Sequence, residues 1–206
     1  MSPRWPRYTT RKHWCRAKDE FPEYCTTKHS LVVQPTFAPL PPPAVPAVAH
    51  LSSPLGMLAL TGSDAGLHQV QFLDQDDGSQ TPPGDIPNCL KAAHAQLQAY
   101  FGRELTAFDL PCAPLTGTDF QRQVWALLPT IAHGDTASYL DLARRLQNPG
   151  AVRAVGAANG RNPLVLVLPC HRVIGANGSL TGYAGGLARK RWLLAFERPM
   201  PKGGLF

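Results

Sequence analysis

Leu164-Val165-Leu166-Val167-Leu168-Pro169-Cys170-His171-Arg172-Val173 runs five apolar residues into a proline and then sets a cysteine and a histidine side by side. The apolar run predicts a short buried strand over 164–168, with Cys170 and His171 delivered at its end. A free thiol has a pKa of about 8.5 and is mostly protonated at neutral pH, so a reactive one needs a base or positive surroundings. His171 and Arg172 offer both. A buried structural cysteine is the other reading the run allows, since free cysteines are among the most buried residues.

Working outward, the residues on either side read as short, well-punctuated helices. Thr118-Asp119-Phe120-Gln121 is a capping box opening a helix with Phe120, Val124 and Leu127 on one face and Pro129 at its end. Ser138-Tyr139-Leu140-Asp141 is a second box, Asn148-Pro149-Gly150 a turn, and Ala151 to Ala158 a helix of small residues around Arg153, closed by Asn159-Gly160. Two short helices joined by a tight turn suggest a helix-turn-helix whose second helix can approach a surface closely. Arg153 is its one long side chain; a close helix-helix contact with Arg153 in a salt bridge is the alternative. Gly175-Ala176-Asn177-Gly178 predicts a hairpin turn of the kind that forms a wing. The last helix, 187–197, has Trp192, Ala195 and Phe196 as core candidates and Arg189, Lys190 and Arg191 as a basic cluster. Glu197 stands at its C-terminal end, where the helix dipole disfavours a carboxylate by about 0.3–1 kcal/mol; a compensating partner such as His171 would explain it, and a solvated surface Glu is the alternative.

Upstream, Ser53-Pro54-Leu55-Gly56 and Ala65-Gly66 separate β-prone runs and predict a small antiparallel sheet. Leu90, Ala93, Leu97, Tyr100 and Phe101 recur at helical spacing before Gly102, with His94 read as a partly exposed helical residue. Residues 46–115 thus form one small α/β domain and 116–206 a second, helical one. Residues 1–45 lack periodicity and run into the stretch Gln34 to Pro46 with its six prolines, the composition of a poorly ordered extension and linker. His13, Cys15, Cys25 and His29 fit no common zinc spacing.

The 206 residues, 44% hydrophobic, are enough for a buried core. Charge is divided unevenly: residues 31–115 carry 2 basic against 7 acidic side chains, whereas 116–206 carry 11 against 4. A basic second domain after an acidic first one suggests that the second faces a polyanion, with an ordinary solvated basic surface as the alternative. Five cysteines without framework spacing fit a reducing compartment, and no apolar run reaches the length of a membrane span, so a cytoplasmic protein is expected.

Pro169-Cys170-His171-Arg172-Val173, with Asn162-Pro163 before it and Gly182-Tyr183-Ala184-Gly185-Gly186-Leu187 after it, resembles the O6-alkylguanine-DNA alkyltransferases, most closely their bacterial members. Ser53-Pro54-Leu55-Gly56, Phe120 to Trp125, Ser138-Tyr139, Arg153 to Gly156 and Trp192-Leu193-Leu194 extend the resemblance over about residues 48–198. The resemblance implies an α+β protein, a ribonuclease-H-like α/β domain followed by a winged helix-turn-helix domain. It also implies single-turnover, cofactor-free transfer of an alkyl group from O6-alkylguanine, and from O4-alkylthymine, in double-stranded DNA after the base is flipped out. By the same resemblance Cys170 is the acceptor, His171 and Glu197 form a relay through a water, Asn162 holds the active-site turn, and Tyr139 serves the leaving guanine. Arg153 would fill the gap left by the base, with Ala151, Ala154, Gly156 and Tyr139 also against DNA, and Val173, Tyr183 and Ala184 would frame the pocket. A monomer is expected. Ser63 stands where some relatives have a zinc-binding cysteine, although His68 remains, so no metal is predicted. Two rivals stay open on sequence: a DNA-damage sensor without chemistry, which the presence of Cys170 argues against, and a Cys-His hydrolase, which would leave Arg153 and the charge division without a role.

Overall fold

A computed structural model describes residues 46–74 and 79–198. The extension at 1–45, with its proline-rich linker and its histidines and cysteines, lies outside the described residues, as does part of the acidic loop after Asp74.

The first unit is an antiparallel sheet in the order β1 (Ala47–Ser53), β2 (Gly56–Ser63), β3 (Gly66–Phe72). Both hairpin turns fall where the glycines predict them, with Gly56 at φ +103° and Gly66 at φ +130°, backbone that a side chain would strain. The register sets Leu51 opposite Leu58 and Leu60 opposite both Ala49 and Val70, all of them buried. Helix α1 (Lys91–Phe101) adds Ala93, Leu97 and Tyr100 to the same core. His94, expected to be partly exposed, is instead buried, because positions 90, 93, 94 and 97 share one stripe of the helix.

The second unit is helical. Helix α2 (Asp119–Leu127) is capped as predicted, Thr118 and Gln121 exchanging side-chain and backbone bonds at 2.8 and 3.3 Å. Trp125, more than Phe120 or Leu127, anchors it: the indole is buried and its Nε1 donates to Ala158 O at 2.8 Å. Strand β4 (Ala137–Ser138) leads into α3 (Tyr139–Arg145), whose box pairs Ser138 with Asp141, and after a turn at 149–151 comes α4 (Val152–Gly160), completing the helix-turn-helix. Strand β5 (Val173–Ile174) pairs in parallel with β4, and α5 (Leu187–Phe196) closes the unit.

Three expectations are corrected here. Residues 164–168 are not a strand: beside a single bridge of Leu164 to Val70, the run folds back on itself, with Leu168 N–H donating to Leu164 O at 2.9 Å and Leu166 held at φ +72°. The reason is Asn162, whose amide takes the carbonyls of Leu164 and Leu168 at 3.4 and 2.7 Å and so replaces the neighbouring strand the run lacks. The turn at Gly175–Gly178 exists, Gly175 N–H donating to Ser179 O at 2.8 Å, but β5 pairs with β4 rather than with a returning hairpin strand. In α5 the fully buried face is Lys190, Leu193, Leu194 and Glu197, while Trp192 and Phe196 are half-buried and pack against the edge of the core and Ala195 is exposed. The four fully buried positions are spaced i, i+3, i+4, i+7, the pattern of one helical stripe.

Candidate active site and nucleic-acid interface

Cys170 opens a tight turn, Cys170–Arg172, between the folded-back run and β5, and only 1% of it is exposed. Asn162 Nδ2, besides tying the run, donates to Cys170 Sγ at 3.0 Å. At the back of the same turn Asn159, near the end of α4, donates to Cys170 O at 3.2 Å. Burial pushes the Cys170 thiol up to about 11, against the pull of the Asn162 hydrogen bond and the Lys190 charge, so the resting group is a protonated thiol.

The sequence places His171 and Arg172 beside the sulfur as two sources of help, and the structure divides their work. Glu197, buried at the end of α5, accepts from His171 Nε2 at 2.8 Å, Tyr100 hydroxyl at 2.8 Å, and Arg172 Nε and Nη2 at 2.8 and 2.9 Å. Burial alone would raise this carboxyl, but the hydrogen bonds and charges of His171 and Arg172 outweigh it and hold the group ionised, well below the usual range. Arg172 is fixed further by donating to Ile131 O at 2.6 Å. Because Arg172 balances the carboxylate, burial keeps His171 neutral: its pKa is lowered despite Glu197. A carboxylate can only accept, so Nε2 carries the proton and Nδ1 presents a lone pair that is buried and without a partner. The unfavourable helix-end carboxylate is thus compensated by His171, as expected, and also by Arg172 and Tyr100, which were not assigned a role there.

Lys190 is the other residue the sequence misplaces. It is fully buried, with Nζ donating to Val173 O at 2.7 Å and Thr181 O at 2.9 Å, and lying 3.5 Å from the Tyr139 hydroxyl. Tyr139, first residue of α3, donates to Thr181 O at 3.0 Å, and burial raises its pKa. Lys190 therefore joins Tyr139, expected to serve the leaving guanine, to Val173 and to the chain just before Tyr183, both expected to frame the pocket. Its place in the 190/193/194/197 stripe was the available signal. Burial lowers its pKa to about 8 from 10.5, partly offset by attraction to Cys170. Between about 8 and 10.5 the unfolded chain holds this proton and the folded one does not, so the stability contributed by Lys190 rises with pH across that window. Denaturant unfolding at stepped pH should show wild type gaining on Lys190→Met from pH 8 to 10.5, and a gap that stays constant or shrinks contradicts a lowered pKa.

Tyr183 is buried with its ring 6.4 Å from the His171 ring in an edge-on arrangement, while Ala184 beside it is exposed. Arg153 and Ala154 are exposed on α4, Ala151 and Gly156 half-buried, and a Cβ on Gly156 would lie 3.8 Å from the Tyr139 ring. The Arg153 group is therefore on a separate surface from the cysteine, yet one helix carries both it and Asn159. His68 donates from Nδ1 to Ala113 O at 2.6 Å and accepts from the Ser63 hydroxyl at 2.9 Å; among the described residues no group of three or more His, Cys, Asp or Glu side chains is gathered as a metal site.

Two family models match in succession: the ribonuclease-like domain of 6-O-methylguanine DNA methyltransferase over residues 48–114, and its DNA-binding domain over residues 119–199. A methylated-DNA–protein-cysteine methyltransferase of Mycolicibacterium paratuberculosis is 50% identical over 149 residues, covering 72% of this chain and 90% of the relative. This chain belongs to the methylated-DNA–protein-cysteine methyltransferases. The family's member from Methanosarcina acetivorans is 46% identical, over 72% of this chain and 96% of its own. Among solved structures, the Mycobacterium tuberculosis O6-methylguanine methyltransferase is 44% identical with a TM-score of 0.66, covering 75% of this chain and 93% of that one. The M. tuberculosis protein in complex with DNA is 45% identical with a TM-score of 0.65, covering 73% and 92%. These matches agree with an α+β methyltransferase built of a ribonuclease-like unit followed by a DNA-binding unit, and no helix among the described residues is long and apolar enough to cross a membrane.

Proposed function

We propose that this methyltransferase repairs double-stranded DNA by moving an alkyl group from O6 of guanine, and from O4 of thymine, onto Cys170 Sγ, once per molecule. The observation that carries the reading is a buried cysteine, beside a neutral histidine with a free Nδ1, fastened by Asn159 to the helix that bears Arg153. A base in a duplex cannot reach a sulfur that is 1% exposed, so the damaged nucleotide is turned out of the stack into the space framed by Val173, Tyr183 and Ala184. The 45%-identical M. tuberculosis relative has been solved in complex with DNA, which supports DNA as the partner; α4 is taken as the surface because Arg153 and Ala154 are exposed on it.

In the transfer the thiol proton passes to His171 Nδ1, through one water, as the Sγ–C bond forms and the C–O bond breaks. Glu197 holds the resulting imidazolium. Tyr139 gives its hydroxyl proton to a ring nitrogen of the departing guanine. Lys190, 3.5 Å away and with a pKa of about 8, is the stronger acid and returns a proton to Tyr139, so charge is balanced across the site. Asn162 keeps Sγ in place for attack. The thioether has no activated leaving group, which makes the step single-turnover. The reading takes the boundaries as 46–115 and 116–206, with a monomer acting in the cytoplasm.

Arg153→Ala should slow repair of alkylated duplex by about tenfold or more, since extrusion costs a few kcal/mol and Arg153 offsets part of it. Reaction with free O6-benzylguanine should be nearly unchanged. Stopped-time transfer assays on both substrates separate the roles: equal slowing would make Arg153 structural.

A further inference from the structure

Arg189 sits in the first turn of α5 and, among the described residues, makes its hydrogen bonds to the base-pocket loop and the N-terminal sheet, with an ion pair to Asp74 at 3.9 Å. Its Nε donates to Leu55 O in the β1–β2 turn at 2.9 Å, and its Nη1 donates to Gly185 O in the loop at 3.2 Å. The guanidinium also lies over the ring of Phe72, at the end of β3, 4.5 Å from its centroid. Gly185 is pressed between the two units: a Cβ there would stand 2.7 Å from the Tyr183 ring and 2.8 Å from the Phe72 ring. Among the described residues the N-terminal unit makes no hydrogen bond to Cys170, His171 or Asn162; it meets the relay at Glu197 through Tyr100, and separately, through Arg189 and Phe72, it backs the loop that carries Tyr183.

We infer that Arg189 is a positioning residue that braces the Tyr183 loop against the N-terminal sheet and thereby sets the size of alkyl group the pocket handles well. The inference rests on the reading above that Tyr183 frames the pocket around the transferred group. A ring held forward by Phe72 and Arg189 closes the space to a small alkyl group and holds it in line with Sγ. Without the brace the ring retreats, a methyl group is held loosely, and a benzyl group finds more room. A planar guanidinium is required, because one group must donate to two carbonyls from different units while stacking on an aromatic face, which an ammonium cannot do.

The test uses full-length protein and two duplexes identical except for O6-methylguanine or O6-benzylguanine at one position, with single-turnover rate constants for each. Arg189→Ala should slow methyl transfer by about tenfold, the scale of a modest misplacement of reacting groups, and benzyl transfer much less. The benzyl-to-methyl ratio therefore rises severalfold. Arg189→Lys should behave like Arg189→Ala, and Phe72→Ala, in the other unit, should move the ratio in the same direction without adding to it in the double variant. Equal slowing on both substrates, rescue by lysine, or a silent Phe72→Ala would each overturn the inference; should Arg189→Ala fail to fold, Phe72→Ala decides alone. Wild-type protein that put no label on Cys170 would instead sink the proposed function and leave the brace as packing only.

Discussion

Cys170→Ser is expected to bring alkyl transfer below detection while DNA affinity stays at the wild-type level. The thiol already stands at about 11 in its buried setting, so forming the thiolate calls on His171, Lys190 and the Asn162 hydrogen bond together. A hydroxyl is several pKa units less acidic again, and each unit adds roughly 1.4 kcal/mol to the cost of the anion. The sulfur's polarizability is lost as well. DNA binding should be untouched because the proposed DNA contacts, Arg153 and Ala154, lie on the exposed face of α4, and Cys170 is 1% exposed. Gel-shift titration with alkylated duplex measures the first quantity and label transfer the second; a serine variant that transfers at a measurable rate would mean that another group is the acceptor.

Arg172→Met should cost about 3–5 kcal/mol of folding stability, the penalty for leaving a buried carboxylate without its cation. Arg172 neutralises Glu197 through two hydrogen bonds and ties Ile131 O, so its removal strands both the charge and a carbonyl. Urea unfolding at neutral pH reads the loss. Restoring Glu197→Gln in the same chain should return part of it, since the stranded charge is then gone. The acid side follows the same logic. Glu197 has a folded pKa depressed below its unfolded value of 4.5, so its contribution is present above pH 4.5 and is lost as pH falls below it. A loss under about 1 kcal/mol would show that Glu197 is solvated and not a buried centre of charge.

What sequence could and could not reveal divides along contact range. Capping boxes at Thr118 and Ser138, the glycines at 56 and 66, and the stop at Gly102 are local signals, and each element they predict is present. Glu197 at a helix end is a local anomaly, and it pointed correctly to a partner in His171. The strand expected over 164–168 fails because a strand needs neighbours, and whether Leu164 to Leu168 has them depends on Val70 and on the Asn162 amide. Lys190 looks like surface in a run of basic residues, and only its phase with Leu193, Leu194 and Glu197 marks it as buried. Tyr100 and Arg189 take their roles from residues 97 and 134 positions away, a separation that no local pattern records.

Titrating duplex carrying alkyl-labelled O6-alkylguanine against a fixed amount of wild-type protein, run to completion and followed by peptide mapping, measures the central step directly. Transfer should level off at one alkyl group per chain, with all label on Cys170 as a thioether and no release on prolonged incubation. A plateau well above one equivalent, or label on Cys89 or Cys112 in place of Cys170, would contradict the mechanism.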